Sequence, residues 1–436
     1  MDADYANRLR WFRQFKEHIN ASANPLVVGI DIGKDKHHAF LGTAAGRTIH
    51  RRLIFENSIE GFGHLLFYIK RYLSAEQLAE VVIGVEPTSV YHKPLAEYLI
   101  ATDYPVVYVT NAAIKKNRAI LDGRWDKNDT KDSANVADLV WRGRCHFYDL
   151  PDINLRDIRN LLSLRKRLKK QEHRLITRIR NNLVAQYFPE LDRAWYRCQQ
   201  ENLAIVRFCL SPQKIAGLSL DDFSRMVTRK RRGIRQYQRL CHIHEVAEDS
   251  IGCQAGSSVA FEAQLLVENL QRIREQIAEV EEQLYLICDS YKEYELLQTI
   301  PGFGPYVSAV VLAAIGYAQR FENSRQLLRL AGLDLNASRS GKRSQTAVPV
   351  ISKAGKADLR YALYQAAKVA TSRTAEFKAY FERILKGREK ERGIKTKMRV
   401  KVSAKMLVIA WTLMKTHQPY KAGLLLIDEP VHQRGR

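Results

Sequence analysis

PLVVGIDIGKDKHHAFL, residues 25–41, is the stretch whose reading decides the fold. Apolar residues lead into Gly29-Ile30-Asp31-Ile32-Gly33. A lysine-rich turn follows, and a second apolar run ends at Phe40-Leu41. A continuous apolar run bounded by glycine reads as a strand buried on both faces. Asp31 interrupts it. A carboxylate in such a strand has to be paired, hydrogen-bonded or bound to a metal, because leaving it alone costs several kcal/mol. Two readings stay open on this stretch: a turn aspartate capping the Gly33-Lys34 corner, or a catalytic carboxylate.

Working outward, Lys36–Gly42 and Arg47–Phe55 read as two further strands about the Ala44-Ala45-Gly46 turn. Residues 58–73 carry helical spacing through Phe62, Leu65, Leu66, Ile69 and Leu73. Val81–Val85 is a buried strand that ends at Glu86-Pro87, residues 89–101 read as a helix, and residues 105–110 as a fifth strand. The order predicts a mixed sheet with helices on its faces, an α/β class for this part of the chain.

Beyond it the pattern turns helical. Residues 155–186 place Leu161, Leu164, Leu168, Leu175, Ile179 and Leu183 near heptad spacing, among lysines and arginines from Arg159 to Arg180. Residues 259–291 continue the alternation through Leu266, Leu270, Ile273, Ile277, Val280, Leu284 and Ile287. Two such helices flanking a segment suggest an antiparallel coiled-coil arm or a dimerisation element. The basic helix, with Arg165, Lys166, Lys169 and Lys170, is either a solvated face or a phosphate contact. The expected organisation is an N-terminal helix (1–25), an α/β domain (26–150), the arm with a helical insertion (151–295) and a helical C-terminal domain (296–436).

The chain of 436 residues carries a net charge of +23, and its pI is about 9.7. Such a balance calls for a polyanion, nucleic acid or an anionic membrane surface. No run of about 18 apolar residues exists and residues 1–24 lack the apolar centre of a signal peptide, which favours nucleic acid, no membrane and a cytoplasmic location. Six cysteines lie without CxxC pairs. Cys241-His242-Ile243-His244 with Cys253 matches no standard zinc spacing, and reduced thiols are expected instead.

Glu86 follows a buried strand, where site residues emerge at a sheet edge. Asp129 and Asp132, three apart at the start of a helix, share one face, and either alone reads as a helix cap. Together with Asp31 they make a stronger constellation. Clustered carboxylates repel, and bound Mg²⁺ resolves the repulsion. Two such ions can clamp the oxygens of a phosphodiester. Further on, Ile300-Pro301-Gly302-Phe303-Gly304-Pro305 before an apolar helix is either a phosphate seat or a structural corner.

The spacing Asp31, Glu86, Asp129, Asp132, on VVGIDIGKD, IGVEPTSVY and DTKDSA, resembles the RuvC-like (RNase H-type) domain of the DEDD transposases. These are recombinases of a bacterial insertion-sequence family guided by a bridge RNA. Ser133 stands ahead of the usual alanine. The loop Asn336–Arg343 with Ile351-Ser352-Lys353 resembles the family's C-terminal transposase domain, and Asp334 stands where the family often has proline. On residues alone, a serine in this basic loop is a phosphate contact or a nucleophile. The resemblance assigns the nucleophile to Ser340 in Ser340-Gly341-Lys342, with Ser338 as the alternative. Arg339, Lys342, Arg343 and Lys353 would hold the scissile phosphate, and Gly341 would let the backbone approach it.

What the resemblance implies is a DNA transposase that forms a covalent phosphoserine link, with Mg²⁺ on the carboxylates. It also implies a guide RNA, donor and target DNA, and a homo-oligomer, dimer or tetramer, whose subunits share the site. Two rivals remain: a metal-dependent junction resolvase or nuclease with no serine step, and a non-catalytic nucleic-acid scaffold.

Overall fold

A computed structural model of the chain describes residues 3–18, 25–87, 89–121, 129–193, 195, 200–208, 210–228, 233–336 and 350–425. The chain divides into two compact units, Met1–Asp152 and Ile153–Arg436.

The first unit is built on a six-stranded sheet in the order β3-β2-β1-β4-β5-β6. Its strands are β1 (Leu26–Asp31), β2 (Lys36–Thr43), β3 (Thr48–Glu56), β4 (Val81–Val85), β5 (Val106–Tyr108) and β6 (His146–Phe147). β1 pairs antiparallel with β2 and parallel with β4, and β5 is parallel to β4 and antiparallel to β6. The sheet is therefore mixed, as the strand order predicts. The chain is α/β here and mostly helical afterwards, consistent with a RuvC-like domain followed by a helical part.

β1 is covered on both faces, which explains its unbroken apolar run. Leu26, Val28 and Ile30 enter one core with Phe62, Leu65 and Ile69 of α2 (Ile59–Ala75) and with Leu95 and Leu99 of α3 (His92–Ala101). The alternate residue Val27 enters the opposite core with Val82, Val107, Ile114, Val136, Ala137 and Val140. The last three belong to α5 (Asp129–Trp141), and Ile114 to α4 (Asn111–Leu121), a helix the sequence pattern did not announce. The N-terminal helix α1 (Ala3–His18) joins this unit, with Trp11, Phe12 and Phe15 packed on the α5 side.

In the second unit, the helix Ser257–Cys288 lies antiparallel along α6 (Ile153–Arg178). Ion pairs mark the register: Arg165 with Glu281 at 2.6 Å, Arg274 with Glu172 at 3.0 Å, and Arg178 with Glu262 at 2.6 Å. The heptad residues Leu266, Leu270, Ile277 and Leu284 are buried within this one chain. That seam is thus closed within the chain, while Phe261, Leu265 and Leu286 of the same helix stay exposed. α6 passes without a break into a π-helical turn, Ile179–Val184, and a last α turn, Ala185–Tyr187, so the helical stretch reaches the expected end near 186. Ile179, Leu183 and Val184 anchor a helical core with Phe188, Phe223 and Leu240. At the other end of the pair, Leu155, Ile158, Leu284 and Cys288 join the core of residues 294–425.

Candidate active site

β1 and β4 run in register from Leu26↔Val81 to Ile30↔Val85. One step further, the Glu86 amide still donates to the Ile30 carbonyl at 3.3 Å. Asp31 and Glu86 therefore stand side by side on strands about 4.8 Å apart. Both are half-buried at the carboxyl ends of their strands. Period-two alternation puts Asp31 on the face of Val27 and Gly29, and Glu86 on the face of Val82 and Gly84.

The glycines identify what covers that face. A Cβ at Gly29 would lie 2.2 Å from the Ser133 carbonyl oxygen and 2.4 Å from the Ala137 nitrogen, and one at Gly84 would lie 2.4 Å from a Val140 methyl. α5 thus rests directly on β1 and β4. Its far end is fixed by Trp141, whose ring would meet a Cβ at Gly46 at 2.9 Å. Gly46 belongs to the turn after β2, whose Thr43 pairs with Leu26 at the start of β1. Since Trp141 sits at the start of β1, α5 runs antiparallel to it, and its first turn lies at the end that carries Asp31 and Glu86.

Asp132 is in that first turn and is 1% exposed. Its Oδ1 accepts from Arg118 Nε at 2.9 Å and lies 2.6 Å from Arg118 Nη2. Asp129 opens α5, and its side chain lies outside the described residues. Across β2, His38 is the register partner of Asp31 and shares its face. Neither Arg118 nor His38 was signalled by the sequence: the first needs α4 in place, the second the strand register. Among the described residues, no three His, Cys, Asp or Glu side chains gather closely enough to hold a metal, the Cys241–His244 stretch included. The donor chemistry at this sheet end, hard carboxylate oxygens, nonetheless suits a divalent cation.

Buried thiols are inert here. Burial pushes Cys145 up to about 11 and Cys288 up to about 12.

In the second unit, residues 337–349 lie outside the described residues, and with them Ser338, Arg339, Ser340, Gly341, Lys342 and Arg343. Both ends of that loop are described. β7 (Leu335–Asn336) pairs antiparallel with β8 (Val350–Ile351). Ser352 donates its amide to the Asp334 carbonyl at 2.9 Å and its hydroxyl to the Asp334 carboxylate at 2.5 Å. Asp334, the departure from the expected proline, thus anchors the loop base. Lys353 is exposed beside it, with its backbone at φ 54°. On α6, Arg165 is engaged by Glu281 and stacks on Tyr306 at 3.8 Å, Lys166 pairs with Asp358, and Lys169 with Glu172. Lys170 is exposed. Part of the basic helix is therefore neutralised within the unit.

Two family models match this chain. A DEDD transposase model covers residues 28–189, and that of the Transposase IS116/IS110/IS902 family covers residues 294–382. Together they take in more than half of the chain. The chain belongs to this transposase family. The first match contains Asp31, Glu86, Asp129 and Asp132, and the second contains Ser340.

Among relatives of the transposase, the insertion element IS116 protein of Streptomyces clavuligerus is 23% identical over 73% of this chain and 78% of its own. The insertion element IS110 protein of Streptomyces coelicolor is 24% identical over 72% and 77%. The transposase for insertion sequence element IS1111A of Coxiella burnetii is 25% identical over 68% and 69%. As an insertion-sequence transposase, the protein acts on DNA. Among the described residues, no helix is long and apolar enough to cross a membrane.

Proposed function

We propose that this transposase cuts and rejoins DNA through Ser340, with Asp31, Glu86, Asp129 and Asp132 as the acidic half of the site. The observation that carries the acidic half is the side-by-side emergence of Asp31 and Glu86 at the ends of two parallel strands, with the first turn of α5 at the same end. These carboxylates would hold Mg²⁺, which when bound supplies charge neutralisation for a phosphodiester. The Ser340 hydroxyl attacks phosphorus and loses its proton, and the displaced DNA oxygen leaves with the bonding pair and is protonated. A DNA hydroxyl later reverses the exchange, releasing Ser340 and rejoining the strand.

Arg339, Lys342, Arg343 and Lys353 hold the phosphate, and Gly341 allows the backbone close to it. The β7–β8 ribbon and the Asp334–Ser352 pair favour this role for the loop, because a nucleophile has to be held in place. In this reading the protein works in the bacterial cytoplasm at the nucleoid, as a dimer or tetramer, with a guide RNA pairing to donor and target DNA. The domain limits follow the same lines: 26–150 for the acidic half and 296–436 for the serine half, with 151–295 as the arm.

One experiment tests it. Protein, guide RNA, DNA and Mg²⁺ are incubated, denatured and resolved for a protein–DNA adduct. An adduct that disappears in Ser340→Ala supports the recombinase. Cleavage that survives Ser340→Ala but not Asp31→Asn makes the protein a metal-dependent nuclease, and no cleavage with any divalent metal makes it a scaffold.

A further inference from the structure

We propose that Arg118 is a positioning residue of the carboxylate cluster, holding Asp132 by one oxygen so that the other is directed to a divalent cation. The inference rests on the metal-binding reading of the acidic half. Three observations carry it.

Asp132 is almost fully buried, so its carboxylate needs a cationic partner to stay ionised there. Arg118, on another helix, supplies it from a side chain that is 24% exposed. Secondly, the contact is not the two-oxygen fork of an ordinary arginine–carboxylate pair. Nε and Nη2 converge on the same atom, Oδ1, at 2.9 and 2.6 Å. Arg180 grips Asp192 at one oxygen in the same way, but that carboxylate is 31% exposed and water reaches its other oxygen, whereas the Asp132 side chain is 2% exposed and its other oxygen needs a partner of its own. A carboxylate gripped at one oxygen is oriented for a second partner at the other.

Thirdly, the grip has a rigid frame. Asn117, the neighbour of Arg118 on α4, donates to Asn135 Oδ1 and to Asp138 Oδ2, both at 2.8 Å. Asn135 in turn donates to the Ile114 carbonyl at 2.9 Å. Asn117 and Asn135 are buried, so these amide bonds fix the α4–α5 spacing and leave Arg118 little freedom to drift. Asp132, Asn135 and Asp138 recur every three residues along α5, and Ile114, Asn117 and Arg118 form the matching face of α4. Partners that hydrogen-bond to metal-ligating carboxylates fix the ligand's direction, and their loss typically weakens metal binding by about 10–100-fold.

The test is a titration of the full-length chain with Mn²⁺, free ion being read by electron paramagnetic resonance, on wild type, Arg118→Gln, Arg118→Lys and Asp31→Asn. Arg118→Gln is expected to bind about 10–100-fold more weakly. Arg118→Lys keeps the charge but not the Nε donor or the planar guanidinium, and falls between Arg118→Gln and wild type. Equal affinity in wild type and Arg118→Gln overturns the proposal. Tighter binding in Arg118→Gln also overturns it, because Arg118 would then compete with the cation. Should Arg118→Gln fail to fold, Arg118→Lys decides alone, and an affinity equal to or above wild type overturns the proposal. Binding weakened by Asp31→Asn but not by Arg118→Gln sinks the role of Arg118 and spares the cluster. Binding indifferent to Asp31→Asn sinks the metal-binding reading and this inference with it.

Discussion

Gly29 of β1 and Ala137 of α5 meet backbone to backbone, so closely that a Cβ at position 29 would lie 2.4 Å from the Ala137 nitrogen. This contact lowers α5 onto the sheet and thereby brings its acidic first turn level with the ends of β1 and β4. Gly29→Ala therefore has to lift the helix, since the obstructing atoms are backbone rather than a movable side chain. Overpacking of this kind costs roughly 1–3 kcal/mol. We expect a lower urea midpoint at unchanged slope, together with weaker Mn²⁺ binding. A Gly29→Ala protein as stable as wild type would show that α5 is free to re-seat.

The base of the 337–349 loop gives a second prediction. The Asp334 carboxylate accepts the Ser352 hydroxyl at 2.5 Å, and the two strands on either side pair. Asp334→Ala removes one hydrogen bond at the rim of the unit, worth about 0.5–1.5 kcal/mol. A displacement of about 1 Å at a reacting group costs on the order of a hundredfold in rate. Adduct formation with DNA should therefore fall well beyond what the small stability loss explains. Unchanged adduct yield in Asp334→Ala would remove the ribbon from the function.

How much of this was legible in the sequence follows from what each feature depends on. β1 could be read because burial on both faces writes itself as an unbroken apolar run, with Asp31 conspicuous at its end. Glu86 was legible for the same reason on β4. Arg118 was not, because its partner Asp132 lies on the next helix and becomes a neighbour only when α4 packs on α5. The charge of α6 was the least legible feature. Arg165, Arg178 and the helix as a whole look like a free basic face until Glu281 and Glu262, about a hundred positions downstream, fold back against it.

That difference makes the basic residues of α6 experimentally separable. Arg165 pairs with Glu281 and stacks on Tyr306, both side chains of the pair being mostly covered. Arg165→Ala should cost stability, about 0.5–2 kcal/mol from the lost ring contact. Lys170 is exposed, and Lys170→Ala should leave the unfolding curve unchanged. If Lys170 touches phosphate, the slope of log affinity for nucleic acid against log salt falls by about 0.9. An unaltered salt slope in Lys170→Ala would return this part of α6 to the class of solvated faces.

A final prediction concerns pH. His37 on β2 is fully buried, its ring packed against Phe55 at 5.1 Å and Phe62 at 6.2 Å. Burial holds it below the ordinary histidine value. His146 shifts in the same direction, through partial desolvation first and Lys16 second, but it is exposed and solvent screening leaves it the smaller share. As pH falls through about 6.5, the unfolded chain takes up protons at these histidines before the folded one does. Stability that is complete above that pH is therefore lost progressively below it. The melting temperature should fall between about pH 7 and 5.5, before the carboxylates titrate. His37→Leu keeps the position apolar and cannot be protonated, so its melting temperature should fall less over the same interval, His146 accounting for part of what remains. If His37→Leu and wild type lose stability in parallel, the acid sensitivity lies elsewhere in the chain.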